Sequence, residues 1–394
     1  MACTRLTAMA AFVVLALAAC ARGGPAPATP GAPAQSAAPG AGAQPAGAPA
    51  GWDQLVEDAR KEGEVIVWGA PGAEARRAEK EAFERAYTGI RVTLFQAPSS
   101  SERDSRFLQE FQAGVAKLDV LVSGSGGANA RLKPAGTLQD VRPFLMLPEV
   151  LDPSSWRDGK LTWVDKDEQQ YMLQGDIQVT PNLAANESVS LAEIQSWEDL
   201  LNPRWKGQIV MLDPRKSGNG FPLGLFLYYT PELGPEFTRR LYSEMDVTFS
   251  QEDRQNLEWT ASGRNLILLR PDDGELALAL GAGTKLQVVP VLKARGKLVD
   301  SSGGSHGILF LPNLNPLPHP NAARLYVNWF YSRAGQQAMV DNVGRASRRV
   351  DVDNSKLPEF ARPRPDVEYM NLNHYTEPGV TQAMRDDVSK WYAR

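Results

Sequence analysis

The apolar positions of this chain recur first at helical spacing and then in short solid runs. In WDQLVEDARKE (residues 52–62), Leu55, Val56 and Ala59 share one helical face, and Gly63 stops the helix before the run EVIVW. A helix over 74–87, a strand over 91–95 and a helix over 102–113 follow. LDVLVSGSGG then repeats the apolar run leading into glycine. This βαβαβ order predicts a mainly parallel sheet flanked by helices. In such sheets ligands sit at the carboxyl ends of strands, here Gly69-Ala70-Pro71 and Ser123-Gly124-Ser125.

The same pattern repeats further along. The middle section begins around YMLQGDIQV (171–179) and PNLAANESV (181–189), and strands are expected at QIVML (208–212), NLILL (265–269) and KLQVVPVL (285–292). Helices are expected up to Trp197-EDLL, from about residue 221, and over 251–262. The chain then returns to the first unit through the strand HGILFLP (306–312), an amphipathic helix over 321–332 and its extension over 335–342. Residues 351–394 are rich in proline and charge and end in a short helix over 383–392. Neither an internal repeat nor a transmembrane segment is read.

The ends change the picture. MACTRLTAMAAFVVLALAAC has one cation, Arg5, then an apolar run too short to span a bilayer, then small residues. Leu17-Ala18-Ala19-Cys20 matches the bacterial lipobox, so residues 1–20 are expected to be a lipoprotein signal with Cys20 lipidated; ordinary signal cleavage is the alternative. The other cysteine, Cys3, is lost with the signal. That excludes a disulfide framework, a zinc–cysteine site and cysteine nucleophiles. Residues 21–51 hold 12 Ala, 7 Pro and 7 Gly with no aromatic or large aliphatic side chain, the composition of a disordered tether. Such a tether reaches about 30 Å. Loss of Arg5 takes the net charge from −4 to −5, and no basic block remains, which argues against nucleic acid or anionic membrane as a partner.

The stretch DPRKSGNGF (213–221) lies between QIVML and PLGLFLYY, at a strand-to-helix junction. A loop entering a helix exposes unpaired N–H groups at a positive dipole end and favours an anion. Ser217, Gly218, Asn219 and Gly220 would present those amides; alternatively Ser217 or Asn219 caps the helix. Both can hold together.

Several segments resemble the extracellular solute-binding proteins of bacterial ABC importers, in particular the ferric-iron-binding-like branch. They are Gly63-EVIVW, Glu81-AFERAYTGIRV, Leu118-DVLVSGS, Trp197-EDLLNPRWKGQIVMLDPRKSGNG and His319-PNAARLYVNWFYSRAGQQAMVDNVGRASRRVDV. The likeness covers most of residues 60–355. It implies an α/β, two-lobed periplasmic-binding-protein fold of type II, with hinge strands and a ligand between the lobes. The lobes are expected at 52–174, 175–295 and 296–350 (return to the first), with 351–394 as an extension packing on them. The protein is then a monomeric, exported, lipid-anchored receptor on the periplasmic or extracellular face. Its partners are a small-molecule solute and an ABC permease with its ATPase.

Candidate ligand contacts are the 217–220 loop and, in the first lobe, Ser123, Gly124 and Ser125, which lack a Walker lysine. Trp68, with Gly69 and Ala70, could wall the cleft, or Trp68 could belong to the core. Arg103, Arg215 and Arg264 could fork an anionic group, or lie on the surface. Ser305 and His306 could face the hinge. Iron is the rival ligand, but the expected tyrosine pair is missing after Leu266-ILL, where the chain reads RPDDGELALALGAG. Tyr228-Tyr229 lies within a helix and is expected to split between core and surface. His306, His319 and His374 show no metal spacing, so neither a metal nor a cofactor is expected. No GxSxG, HExxH or cysteine nucleophile points to an enzyme, and Asp272-Asp273 is expected to be a turn. A small organic anion is the expected ligand.

Overall fold

Alternating apolar strands and amphipathic helices build two separate sheets in the computed structural model, which describes residues 47–69, 73–95, 100–165, 171–216, 218–301 and 307–392. The first part of the chain forms α1 (Trp52–Glu62), β1 (Glu64–Trp68), α2 (Ala73–Ala86), β2 (Arg91–Leu94), α3 (Ser100–Gln112), β3 (Val120–Ser123) and the single turn α4 (Ser125–Gly127). Helix α1 buries Trp52, Leu55 and Ala59 and ends at Gly63, whose φ of 70° suits glycine. After β4 (Leu138–Gln139) and α5 (Pro148–Leu151), the hairpin β5 (Thr162–Trp163) and β6 (Leu173–Gln174) closes this part, and β7 (Asp176–Ile177) leaves it.

The second part comprises β8 (Leu183–Asn186), β9 (Ile209–Leu212), α6 (Gly220–Tyr229), α7 (Gly234–Glu244), β10 (Thr248–Ser250), α8 (Asp253–Ala261), β11 (Ile267–Leu269), α9 (Asp273–Gly281) and β12 (Leu286–Val289). The small strands β13 (Lys293–Ala294) and β14 (Lys297–Ser301) follow. The chain returns with β15 (Ile308–Pro312), α10 (Pro320–Tyr331), α11 (Arg333–Val343) and β16 (Ala346–Ser347), and ends with β17 (Glu368–Met370) and α12 (Pro378–Tyr392). The last helix starts at Pro378, ahead of its expected beginning at 383, and a further departure precedes β9. There Leu191–Glu193 and Glu198–Leu201 form 3-10 turns where a helix was expected, and Trp197 is buried in the core between them.

Seven strands form the first sheet in the order β2-β1-β3-β15-β6-β5, with β4 also pairing β15; five form the second, β10-β9-β11-β8-β12. The two share one plan. Three parallel strands (β2, β1, β3; β10, β9, β11) are followed by one antiparallel strand supplied from elsewhere in the chain, β15 or β8. This is the type II periplasmic-binding-protein fold, and the two sheets are the cores of its two lobes. The crossing strands are tightly packed. Gly175 N–H donates to the Gly307 carbonyl at 2.9 Å, and a Cβ on Gly307 would lie 2.4 Å from Asp176 Cγ.

Helix α10 is buried almost all round, between α1 and the first sheet, so its one polar core residue must be satisfied. Asn328 is. Its Oδ1 accepts from Met146 N–H and Leu147 N–H at 2.7 and 3.0 Å, and its Nδ2 donates to the Phe144 and Arg324 carbonyls at 2.7 and 2.9 Å. Beyond residue 350 the chain first packs on α11 and β16, with Val352 and Leu357 beside Val340 and Ala346, and then on the second lobe, where Met384 and Val388 of α12 join the core around α6 and α7.

Candidate functional site

Strand ends from both lobes converge on one cavity of about 470 Å³. Gly124, Ser125 and Gly126 enter it directly after β3, Gly218 and Asn219 in the loop after β9, and Arg270 directly after β11. Gln178 follows β7, Arg345 precedes β16, and Phe221, Pro222 and Leu225 of α6 give an apolar floor. The last side is the C-terminal segment, through Leu372, Asn373 and Thr376. Volume and lining, a mostly apolar surface with a few converging polar groups, suit a small-molecule site.

Two arginines define its electrostatics. Arg270 is buried, and its guanidinium is held below the usual arginine range by desolvation, opposed by Asp300. Its Nη1 donates to Ser301 Oγ at 2.7 Å and lies 3.9 Å from Asp300 Oδ1. Burial pushes the Asp300 carboxyl up to about 6. Arg270 also has a φ of 48°, a left-handed conformation that costs a side-chain-bearing residue about 1–2 kcal/mol; such strain gathers at functional sites. Arg345, brought by the first lobe, lies with Nη1 3.9 Å from Asp273 Oδ2 of the second. That nitrogen is buried without a hydrogen-bond partner among the described residues. The one carboxylate in the lining, Asp272, is occupied. Its Oδ1 caps α9 by accepting Glu275 N–H at 2.9 Å, and its Oδ2 accepts from Asn219 Nδ2 at 2.8 Å.

The two glycine loops thus meet across one space, but their residues differ in role. Asn219 makes no capping bond to α6, because its side chain turns to Asp272 instead. Gly220 serves packing: a Cβ there would lie 2.3 Å from the Leu212 carbonyl oxygen, so only glycine lets α6 begin against the end of β9. Gly127 similarly makes room for the Asp104 carboxylate, whose Oδ2 would sit 2.3 Å from a Cβ there.

Other expected contacts lie elsewhere. Trp68 is fully buried in the core beside Phe95, Phe107 and Leu121, with Arg103 over its ring at 4.4 Å. Arg103 is itself buried, and desolvation lowers its guanidinium to about 10. These two stack on each other away from the cavity: Trp68 takes its core alternative, and Arg103 is neither an anion fork in the cleft nor a surface residue. Gly69 packs toward Glu79, and Ser123 is held in β3 opposite Ile308. Arg215 is drawn back to Asp213 at 2.7 Å, over the rings of Tyr392 and Phe249. Arg264 is exposed and lies on Trp259 at 3.8 Å. Asp272 and Asp273 begin a helix, so that pair is no plain turn. Ala70, Ser217, Ser305, His306 and Cys20 lie outside the described residues.

Sequence reasoning missed Arg270, Arg345, Gln178 and the 372–376 turn. For Arg270 a signal existed, an arginine at the end of an apolar run before a helix cap. For Arg345 and the turn, none did, since only the long-range fold places them. Tyr228 and Tyr229 are both half-buried and face the C-terminal segment: their hydroxyls donate to Asp387 Oδ2 at 2.7 Å and the Val380 carbonyl at 2.8 Å. Among the described residues no three His, Cys, Asp or Glu side chains gather as metal ligands. No helix among them is long and apolar enough to cross a membrane.

Fold and cleft together define a two-lobed solute-binding protein, and the sequence agrees. The chain belongs to the bacterial extracellular solute-binding protein family, whose pattern matches residues 117–373. It is a binding protein of the ABC-transporter type. None of the curated proteins matches it. Among solved structures it is similar to Trichodesmium IdiA (FutA) in complex with iron and citrate, at 15% identity and TM-score 0.58, covering 84% of this chain and 98% of that one. It is likewise similar to iron-bound HitA of Pseudomonas aeruginosa, at 17% identity and TM-score 0.57, covering 82% and 99%. AfuA of Actinobacillus pleuropneumoniae, with fructose-6-phosphate bound, matches at 15% identity and TM-score 0.55, covering 83% and 97%. At such identities the likeness concerns the fold.

Proposed function

We propose that this protein is the receptor of an ABC importer, tethered to the membrane by a lipid on Cys20, and that it carries a small organic anion to its permease. The observation that carries this reading is the convergence of Arg270 and Arg345, one from each lobe, with both glycine loops on one cavity of about 470 Å³. An anionic group there meets two guanidiniums and the amide-rich turns at 124–126 and 218–219, while Phe221, Pro222 and Leu225 take the apolar body. Closure removes water and strengthens each polar contact. Two or three charge-assisted bonds of about 1.5–3 kcal/mol each favour the closed, ligand-bound form over the open one.

The fold neighbours bound to citrate and to fructose-6-phosphate hold organic anions, which is in keeping with this reading. Iron held directly by the tyrosine pair is disfavoured, because both hydroxyls already bond the C-terminal segment. A thermal-shift screen of carboxylates, sugar phosphates, phosphonates, ferric citrate and polyamines tests the proposal. Stabilisation by one or more organic anions is expected. Stabilisation by polyamines alone would refute it, and a coloured ferric complex formed without an organic anion would favour iron.

A further inference from the structure

The geometry points to the turn at residues 372–376 as a clasp that belongs to one lobe and fastens on the other, holding the cleft shut before any ligand arrives. On the second-lobe side the attachment is broad and apolar. Met384 and Val388 are fully buried in that core, Tyr375 stacks on Tyr229 at 4.8 Å, Tyr392 stacks on Phe249 at 4.3 Å, and Leu372 joins the same cluster. Strand β17, just before the turn, pairs in parallel with β14.

On the first-lobe side the attachment is a short set of polar contacts. Ser125 Oγ donates to Asn373 Oδ1 at 2.8 Å, Asn129 Nδ2 donates to Thr376 Oγ1 at 2.8 Å, and Asn373 Nδ2 donates to Gln174 Oε1 at 3.1 Å. His374 Nε2 lies 3.2 Å from the Trp163 carbonyl oxygen. This asymmetry decides which contact yields. Stripping the apolar side exposes core residues to water, whereas the polar bonds exchange for bonds to water at small net cost. When the lobes part, the turn therefore travels with the second lobe and releases Ser125, Asn129 and Gln174. The clasp stands independently of which solute the cleft takes.

Small-angle scattering of the ligand-free protein tests it, comparing wild type with Asn373→Ala/Thr376→Ala, and with Ser125→Ala/Asn129→Ala, which breaks the Ser125–Asn373 and Asn129–Thr376 bonds from the opposite lobe. Both double variants are expected to show a larger radius of gyration and a longer maximum dimension while still melting cooperatively. Scattering identical to wild type from cooperatively melting variants overturns the clasp. Should the first variant not fold, the second decides by the same criterion.

Discussion

Substituting Gly220 by alanine tests how the second lobe aims its loop into the cleft. The added Cβ would meet the Leu212 carbonyl oxygen at 2.3 Å, its carbonyl carbon at 2.6 Å and its Cβ at 2.8 Å. A carbon–oxygen contact normally relaxes to about 3.3 Å or more, so the start of α6 must lift by about 1 Å. The obstacle is mainly strand backbone, which cannot swing aside. Overpacking of this kind costs about 1–3 kcal/mol. The better helix propensity of alanine returns at most about 1 kcal/mol, and less at a first helical position. A net loss of about 0.5–2.5 kcal/mol corresponds to a fall in Tm of roughly 1–4 °C for a chain of this size. Calorimetry and urea titration should show a lower midpoint with an unchanged denaturant slope. A midpoint at or above wild type would mean that α6 does not sit against β9 as described.

Two further outcomes concern the core and the hinge. Asn328→Ala leaves the part-buried Met146 N–H, the buried Leu147 N–H and the Phe144 carbonyl without their partner, and should cost about 2–5 kcal/mol in chemical denaturation; a loss below about 1 kcal/mol would show that water replaces the amide. Asp176, buried beside Gly307, has its carboxyl raised to about 6 by desolvation, opposed by Arg345 and Arg348. A raised carboxyl binds its proton more tightly folded than unfolded. Its stabilising contribution is therefore complete below about pH 4 and is lost as pH rises to about 6. From the ordinary aspartate value of 3.8, that amounts to about 3 kcal/mol. Relative to wild type, Asp176→Asn should gain about that much between pH 4 and pH 7 in urea midpoints; parallel pH profiles would contradict the assignment.

Local pattern carried most of the fold into view. Helix α1 and strand β1 run as the spacing of Leu55, Val56 and Ala59 and the stop at Gly63 predict, because amphipathic period and a glycine cap act within a few residues. The segment before β9 did not follow, since Trp197 packs into the core from between two tight turns and tertiary burial outweighs the helical look of Trp197-EDLL. At the site, the glycine loops were visible because they follow apolar strands. The arginines were not separable by sequence: Arg103, Arg215 and Arg264 each lie against an aromatic ring, and Arg215 also against a carboxylate, whereas Arg270 and Arg345 face the cleft. Which arginine is spent on packing depends on neighbours from distant parts of the chain. The tyrosine pair at 228–229 was expected to divide between core and surface. It instead covers a C-terminal segment whose docking no local signal announces.

The central claim, an organic anion held between the lobes by Arg270 and Arg345, is tested most directly by a crystal structure with the solute that gives the largest thermal shift. The account predicts that the solute's negative group lies within hydrogen-bond reach of one or both guanidiniums and of backbone N–H groups from 124–126 or 218–219. A solute bound outside this cleft, or one that turns a cationic group toward the two arginines, would contradict it.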